Sequence, residues 1–354
     1  MFIVGLKQTF VKKGYTAMKQ ITIIGAGMMG SAMAFPATDN GYLVNLVGTP
    51  LDREIIDNLK KDRHHLTLKR DIPQNVSFYQ FEQVSQALAG SQLVIGGVSS
   101  FGIDWFAQFV LPILDKNMPV LMITKGLKSD ESGNLIPFPI WLSSLPAGEG
   151  KSINAVGGPC ISFELADRMQ TQVAFCGRDV DTLNKIKNML STEYYHISPT
   201  TDIAGIETAV AMKNAYAMAV SLAIGIAKKD DDNAIEKYNP QAGLFYQAVK
   251  EMNSIIELCG GQLPALFFGA GDLYVTVFGG RTRLLGTLLG KGNTFAQASE
   301  ILSGVTLESV AVTKKVCEAL TLKGVLENYP LLHHIDCLLN NAADTKIPWD
   351  KFCM

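Results

Sequence analysis

From Gln20 to about Pro199, short β-branched runs alternate with stretches whose apolar residues recur at helical spacing. The runs QITIIGAG, YLVNLVG, QLVIGGV, PVLMITKG, SINAVGG, TQVAFCG and YYHIS read as strands, since branched and aromatic side chains bounded by glycine favour extended chain. Between them, Met29 to Asn40, Gly102 to Leu114 and Val180 to Leu190 carry the period of an amphipathic helix. Strand and helix in turn predict a doubly wound, mainly parallel sheet covered on both faces. From Asp202 onward the strand signal gives way to long helical patterns, punctuated at Pro240, Gly260–Gly261, Gly279–Gly280, Gly304 and Pro330. The chain therefore divides into an α/β domain over residues 20–200 and an all-helical domain over 201–354, after a leading segment 1–19. Thr201 or Asp202, in SPTTDI, is placed to cap the first long helix.

Composition fits this division. A chain of 354 residues suits two domains of ordinary size, and 47% apolar against 18% charged residues supports packed cores rather than disorder. The net charge is −2 with no Lys/Arg cluster, which excludes a nucleic-acid footprint. The oiliest stretch, Asn214 to Ala227, is uncharged for 14 residues, short of the roughly 18 a spanning helix needs, so it is expected to be a core helix and not a membrane span. Six scattered cysteines, with no CxxC and no HExxH, predict free thiols in a reducing cytoplasm and no metal site. The first residues, MFIVGLKQTFVKKGYTA, carry lysines and no acid, yet have neither a secretory apolar core nor transit-type arginines; they read as an extension ahead of a second possible start at Met18.

The loop ITIIGAGMMGSAMA sets Gly25, Gly27 and Gly30 between a strand and a helix. Gly25 permits the tight turn, Gly27 lets a pyrophosphate approach the backbone, and Gly30 lets helix and strand pack closely. This is the dinucleotide-binding pattern of a Rossmann-type domain. At the end of the second strand, LVNLVGTPLDRE has Gly48 and Thr49 where an NAD site would place an acid. Arg53 follows and either faces a 2′-phosphate or is a solvated charge at a helix start; the balance leans to NADPH.

A dinucleotide enzyme must also move a proton, and the histidines are poorly placed for it. His64 and His65 lie in a charged connector, His196 in a strand, and His333 and His334 near the C-terminus. Lys213 interrupts the apolar ETAVAMKNAYAMAVSLAIGIA, where burial would lower its pKa towards a usable acid/base value, unless it snorkels or pairs with Glu207. Lys125, in VLMITKGL, ends a strand, where ligands of open α/β sheets bind. In FGAGDLYVTVFGGRTRLLG, Asp272 and Thr276 fall one helical turn apart, and Arg281 opens a new helix as either an anion trap or a solvated turn charge.

These motifs together resemble the NAD(P)-dependent glycerol-3-phosphate dehydrogenases of bacterial and archaeal type. The likeness runs from about Gln20 to at least Leu322 through GAGMMGSA, TKGL, GGPCISFELADRMQTQV, IETAVAMKNAYAMA and GAGDLYVTVFGGRTRLLG. The resemblance implies hydride transfer between a nicotinamide and dihydroxyacetone phosphate or glycerol 3-phosphate, feeding glycerophospholipid synthesis. Lys213 is then the proton donor/acceptor, and Lys125 polarises the substrate or bridges it to the nicotinamide. Asn214 touches substrate, Asp272 and Thr276 hold hydroxyls, and Arg281 meets phosphate and cofactor. By the same resemblance Gly158, Cys160 and Thr282 belong to the substrate site. Met28, Met29, Thr49, Arg53, Ser162 and Glu308 join the three loop glycines, Lys125 and Arg281 around the cofactor. The chain departs from the family pattern where Cys160 stands for a serine and Thr282 for an asparagine, and where GVTLESVAV replaces the family's Val-Glu-Gly, offering Glu308 or Ser309 for that nicotinamide contact, here assigned to Glu308. A homodimer is expected, since the oily helical half offers a face for one. The alternatives are another 3-hydroxyacid or ketopantoate-type dehydrogenase, and a non-catalytic NADPH sensor.

Overall fold

The computed structural model describes residues 19–304, 307–341 and 344–352. Residues 1–18 of the leading extension, and Cys353, lie outside the described residues. Eight strands form one sheet: β1 (Gln20–Ile24), β2 (Leu43–Val47), β3 (Val76–Tyr79), β4 (Leu93–Gly96), β5 (Val120–Met122), β6 (Ile153–Gly157), β7 (Thr171–Cys176) and β8 (Tyr195–Thr200). Their spatial order is β8-β7-β6-β5-β4-β1-β2-β3. All neighbours run parallel except β6 and β7, which pair antiparallel with Val156 opposite Phe175. Successive strand residues feed opposite layers: Ile21, Ile23, Val44, Leu46 and Leu121 pack into one core. Ile24, Val47, Val94, Val120 and Met122 pack into the other. Burial on both faces explains why most of these strands read as nearly continuous apolar runs.

The seven runs anticipated as strands all pair in this sheet; the eighth member, β3, is short and half-polar. The expected Met29–Asn40 helix is two pieces, α1 (Met28–Ala32) and α2 (Ala34–Asp39). The Gly102–Leu114 stretch is a chain of short α, π and 3-10 turns, the last of them Leu111–Ile113 with Pro112 inside it. After β2 comes α3 (Arg53–Asp62), and α4 (Val180–Leu190) joins β7 to β8.

Beyond β8 the chain is helical: α5 (Ile203–Ala227), α6 (Tyr238–Leu258), α7 (Leu263–Val277), α8 (Gly280–Gly290), α9 (Phe295–Ile301), α10 (Glu308–Leu322) and α11 (Pro330–Leu339). Asp202 caps α5 by accepting from the Gly205 N–H at 2.8 Å, and its other oxygen accepts from Gln262 N–H at 2.9 Å. By length and composition α5 could cross a membrane, but it is apolar all round because its neighbours surround it, forming the axis of the helical core. Glycine decides how near α8 comes. A Cβ on Gly286 would stand 2.3 Å from the Met218 carbonyl oxygen, and one on Gly290 would stand 2.2 Å from that of Leu222. Pro240 sits in the first turn of α6, where a missing N–H costs nothing, so it begins a helix rather than breaking one.

Candidate active site

Lys125, Lys213 and Asp272 come from three elements and meet at one point. Lys125 follows β5 at the C-terminal end of the parallel strands, and the Thr124 hydroxyl before it donates to the Val98 carbonyl at 2.7 Å. Lys213 projects from the middle of α5. Asp272 projects from α7, which lies close because Gly269 faces Ala209; a Cβ there would stand 2.7 Å from the alanine methyl. One turn further along each helix, Lys213 Nζ donates to Asp272 Oδ1 at 2.5 Å. Lys125 Nζ pairs with Asp272 Oδ2 and also donates to the Gly158 carbonyl at 3.3 Å.

The carboxylate is fully buried, whereas the lysine side chains keep 20% (Lys125) and 15% (Lys213) of their surface. Two cations on one carboxylate leave a net positive charge. Burial pulls Lys213 below the ordinary lysine value and the neighbouring Lys125 charge pulls the same way, with Asp272 opposing. Burial also acts against a charged Lys125, but the attraction of Asp272 outweighs it and holds that ammonium above its usual range. The two lysines are thus pushed apart in proton affinity.

A small cavity adjoins them, lined by Met29, Ile123, Lys125, Val156, Gly158 and Cys160. It connects the glycine-loop helix to the strand ends. Burial drives the Cys160 thiol up to about 12, so it enters this space as a neutral group. Gly25 has φ +112°, and a Cβ on it would stand 2.5 Å from the Gly97 carbonyl oxygen. A Cβ on Gly30 would stand 2.1 Å from the Gly25 carbonyl oxygen, while one on Gly27 would meet nothing within 4 Å. That open side of Gly27 is the space a pyrophosphate requires, so the loop fits a dinucleotide.

The patterns of the N-terminus and C-terminus of NAD-dependent glycerol-3-phosphate dehydrogenase match residues 20–182 and 202–348. The chain belongs to the NAD-dependent glycerol-3-phosphate dehydrogenase family. It is 35% identical over 285 residues to the NADP(+)-dependent glycerol-3-phosphate dehydrogenase of Archaeoglobus fulgidus, covering 80% of this chain and 83% of that one. It is 28% identical over 300 residues to a glycerol-3-phosphate dehydrogenase [NAD(P)+] of Desulfotalea psychrophila, covering 83% and 85%. The crystal structure of glycerol-3-phosphate dehydrogenase from Coxiella burnetii shares the fold, with a TM-score of 0.80 at 20% identity over 93% of this chain and 96% of that one. As a member of this family, the chain is an NAD(P)-dependent oxidoreductase.

The remaining residues singled out from the sequence of this dehydrogenase lie around these elements. Asn214 is half-buried beside Lys213 on α5, and Thr276 donates from α7 to the Asp272 carbonyl at 2.6 Å, one turn back. Arg281 and Thr282 open α8, which bends 68° from α7 at Gly279–Gly280; Arg281 is exposed and has no hydrogen bond or ion pair among the described residues. Around the glycine loop, Met28 is exposed, Met29 lines the cavity, and Ser162 is buried at the start of a short helix. Glu308 reaches from α10 back to the sheet domain, accepting from the Ser100 N–H at 3.2 Å and hydroxyl at 3.0 Å.

Two expected cofactor contacts have other partners. The Thr49 N–H and hydroxyl both donate to Asp52 Oδ2 at 2.8 Å, and Arg53 pairs on the surface with Glu82. Meeting a 2′-phosphate requires Arg53 to exchange that glutamate. Glu207 is not the partner of Lys213: residues six apart on a helix point about 120° from each other. Asp272, 59 residues away, takes that place.

Proposed function

We propose that this enzyme reduces dihydroxyacetone phosphate to glycerol 3-phosphate with Lys213 as the proton donor, supplying glycerophospholipid synthesis. The observation that carries this reading is the shared carboxylate of Asp272, which holds one lysine poised to release a proton and another firmly charged. A bound reduced nicotinamide supplies the hydride to the ketone carbon. Lys213 delivers its proton to the carbonyl oxygen, so the ketone gains one hydride and one proton and becomes the secondary alcohol. Lys125 keeps its charge throughout and offsets the negative charge that grows on that oxygen. Asp272 sets the position of both ammonium groups and is itself fixed by burial in α7. Lys213, still partly open to solvent, regains a proton from water after each cycle.

The substrate phosphate needs cations that are not already neutralised, and Arg281, whose guanidinium has no partner among the described residues, supplies one. Thr49 and Arg53, in place of a strand-end acid, favour NADPH over NADH.

The test follows NADPH and NADH absorbance with dihydroxyacetone phosphate, and with dihydroxyacetone as control. Rapid oxidation with the phosphate ester alone is expected. Lys213→Ala is expected to cut kcat by about two orders of magnitude or more while NADPH fluorescence titration stays unchanged. Undiminished turnover would remove Lys213 from the mechanism.

A further inference from the structure

The segment between α3 and β3 carries no role in the chemistry above, yet it sends a histidine back to the glycine loop. His64–His65 pair antiparallel with Arg70–Asp71, forming a small hairpin. Arg63 fastens this hairpin to the start of β3, donating to the Ile72 carbonyl at 3.0 Å and the Val76 carbonyl at 2.8 Å. His65 is 1% exposed. Its Nδ1 accepts from the Leu68 N–H at 3.2 Å, so that nitrogen carries no proton and Nε2 does. Nε2–H then donates to the Ala26 carbonyl at 2.8 Å.

Ala26 is the middle residue of Gly25-Ala26-Gly27. Its N–H is also taken, donating to Asp52 Oδ2 at 3.1 Å. One residue of the loop is therefore gripped at both backbone polar groups, by Asp52 before α3 and His65 after it. The glycines on either side of Ala26 carry no side chains to restrict rotation, so without those bonds the turn has many conformations to lose on binding.

We propose that His65 and Asp52 are positioning residues that preset the glycine loop for the cofactor by clamping the Ala26 backbone from both sides. The proposal rests on the reading that this loop carries the cofactor's pyrophosphate. Neither residue touches the reacting atoms. Their effect is expected in cofactor affinity and not in the proton-transfer step.

The test uses the full-length protein, with NADPH affinity read by nicotinamide fluorescence and KM measured separately for NADPH and dihydroxyacetone phosphate. His65→Phe keeps a buried ring but has no N–H to give. It is expected to weaken NADPH about tenfold, with KM for the ketone changed less than about twofold. His65→Gln retains an N–H donor and is expected to recover most of the loss, which mere filling of space would not do. Gly27→Val serves as the control for the underlying reading: its side chain enters open space in the free protein and the pyrophosphate's place in the complex. Native NADPH affinity in His65→Phe, with binding abolished in Gly27→Val, overturns the clamp alone. Native affinity in Gly27→Val overturns the loop assignment and the clamp with it. If His65→Phe does not fold, Asp52→Ala frees the N–H of the same residue and is read beside Thr49→Val, which removes the hydroxyl Asp52 also holds: NADPH affinity lost only in Asp52→Ala supports the clamp, and native affinity or a loss matched by Thr49→Val overturns it.

Discussion

Glu207 is a carboxyl group in the wrong solvent. It lies about one turn into α5, fully buried, and neither oxygen has a hydrogen-bond partner among the described residues. Burial pushes its pKa from 4.5 up to about 8, even though the Lys125 charge pulls it down. Between those two values the folded protein keeps a proton that the unfolded chain has released. Stability is therefore complete below about pH 4.5 and is lost as pH rises through about 8, at about 1.4 kcal/mol per pH unit and about 5 kcal/mol in all. Glu207→Gln cannot ionise and has no such loss. Denaturant unfolding of both proteins at about pH 5, 6, 7 and 8 measures the difference directly, since the other titrating groups are common to both. The glutamine variant should gain steadily on the native protein as pH rises, by several kcal/mol across the series. A stability difference that stays constant with pH would refute the reasoning, because it would mean that Glu207 is already ionised and satisfied in the fold.

Three further outcomes are expected. Arg281→Ala should raise KM for dihydroxyacetone phosphate by about tenfold to a hundredfold, the loss of a charge-assisted hydrogen bond, with steady-state kinetics as the check; an unchanged KM means the phosphate sits elsewhere. Arg53→Ala should weaken NADPH more than NADH in paired fluorescence titrations, and equal losses would leave Arg53 only its surface pair with Glu82. Gly286→Ala forces a methyl against the Met218 carbonyl and should cost about 1–3 kcal/mol, seen as a lower Tm in calorimetry; a Tm equal to that of the native protein would mean α8 can retreat from α5 freely.

Much of this architecture is legible in the sequence, for identifiable reasons. A strand buried on both faces is apolar at most consecutive positions, so β1, β2, β4 and β6 announce themselves despite the buried Thr22, Asn45 and Asn154. β3 sits at the sheet edge with Ser77 exposed and Phe78 and Tyr79 half-covered, and an edge strand has no such obligation. The reversal of β7 is a tertiary choice with no local signature, since either direction buries the same side chains. In the site, Lys213 stood out because a cation in an oily helix is costly, but its partner could only be chosen in three dimensions. Asp52 and His65 were invisible for a different reason. Their partners are backbone groups of Ala26, and a backbone acceptor leaves no letter in the sequence.

The union of two ammonium groups on Asp272 also bears on how the substrate arrives. The chain as a whole is slightly acidic, with a net charge of −2, so at long range it offers a phosphate ester no welcome. Within about 8–10 Å, the screening length of physiological salt, the net positive charge of the triad and Arg281, which has no partner among the described residues, set the local sign instead. Capture is then a short-range event. Added salt should slow it little until ions compete at the mouth itself, unlike enzymes that draw their substrates in from afar.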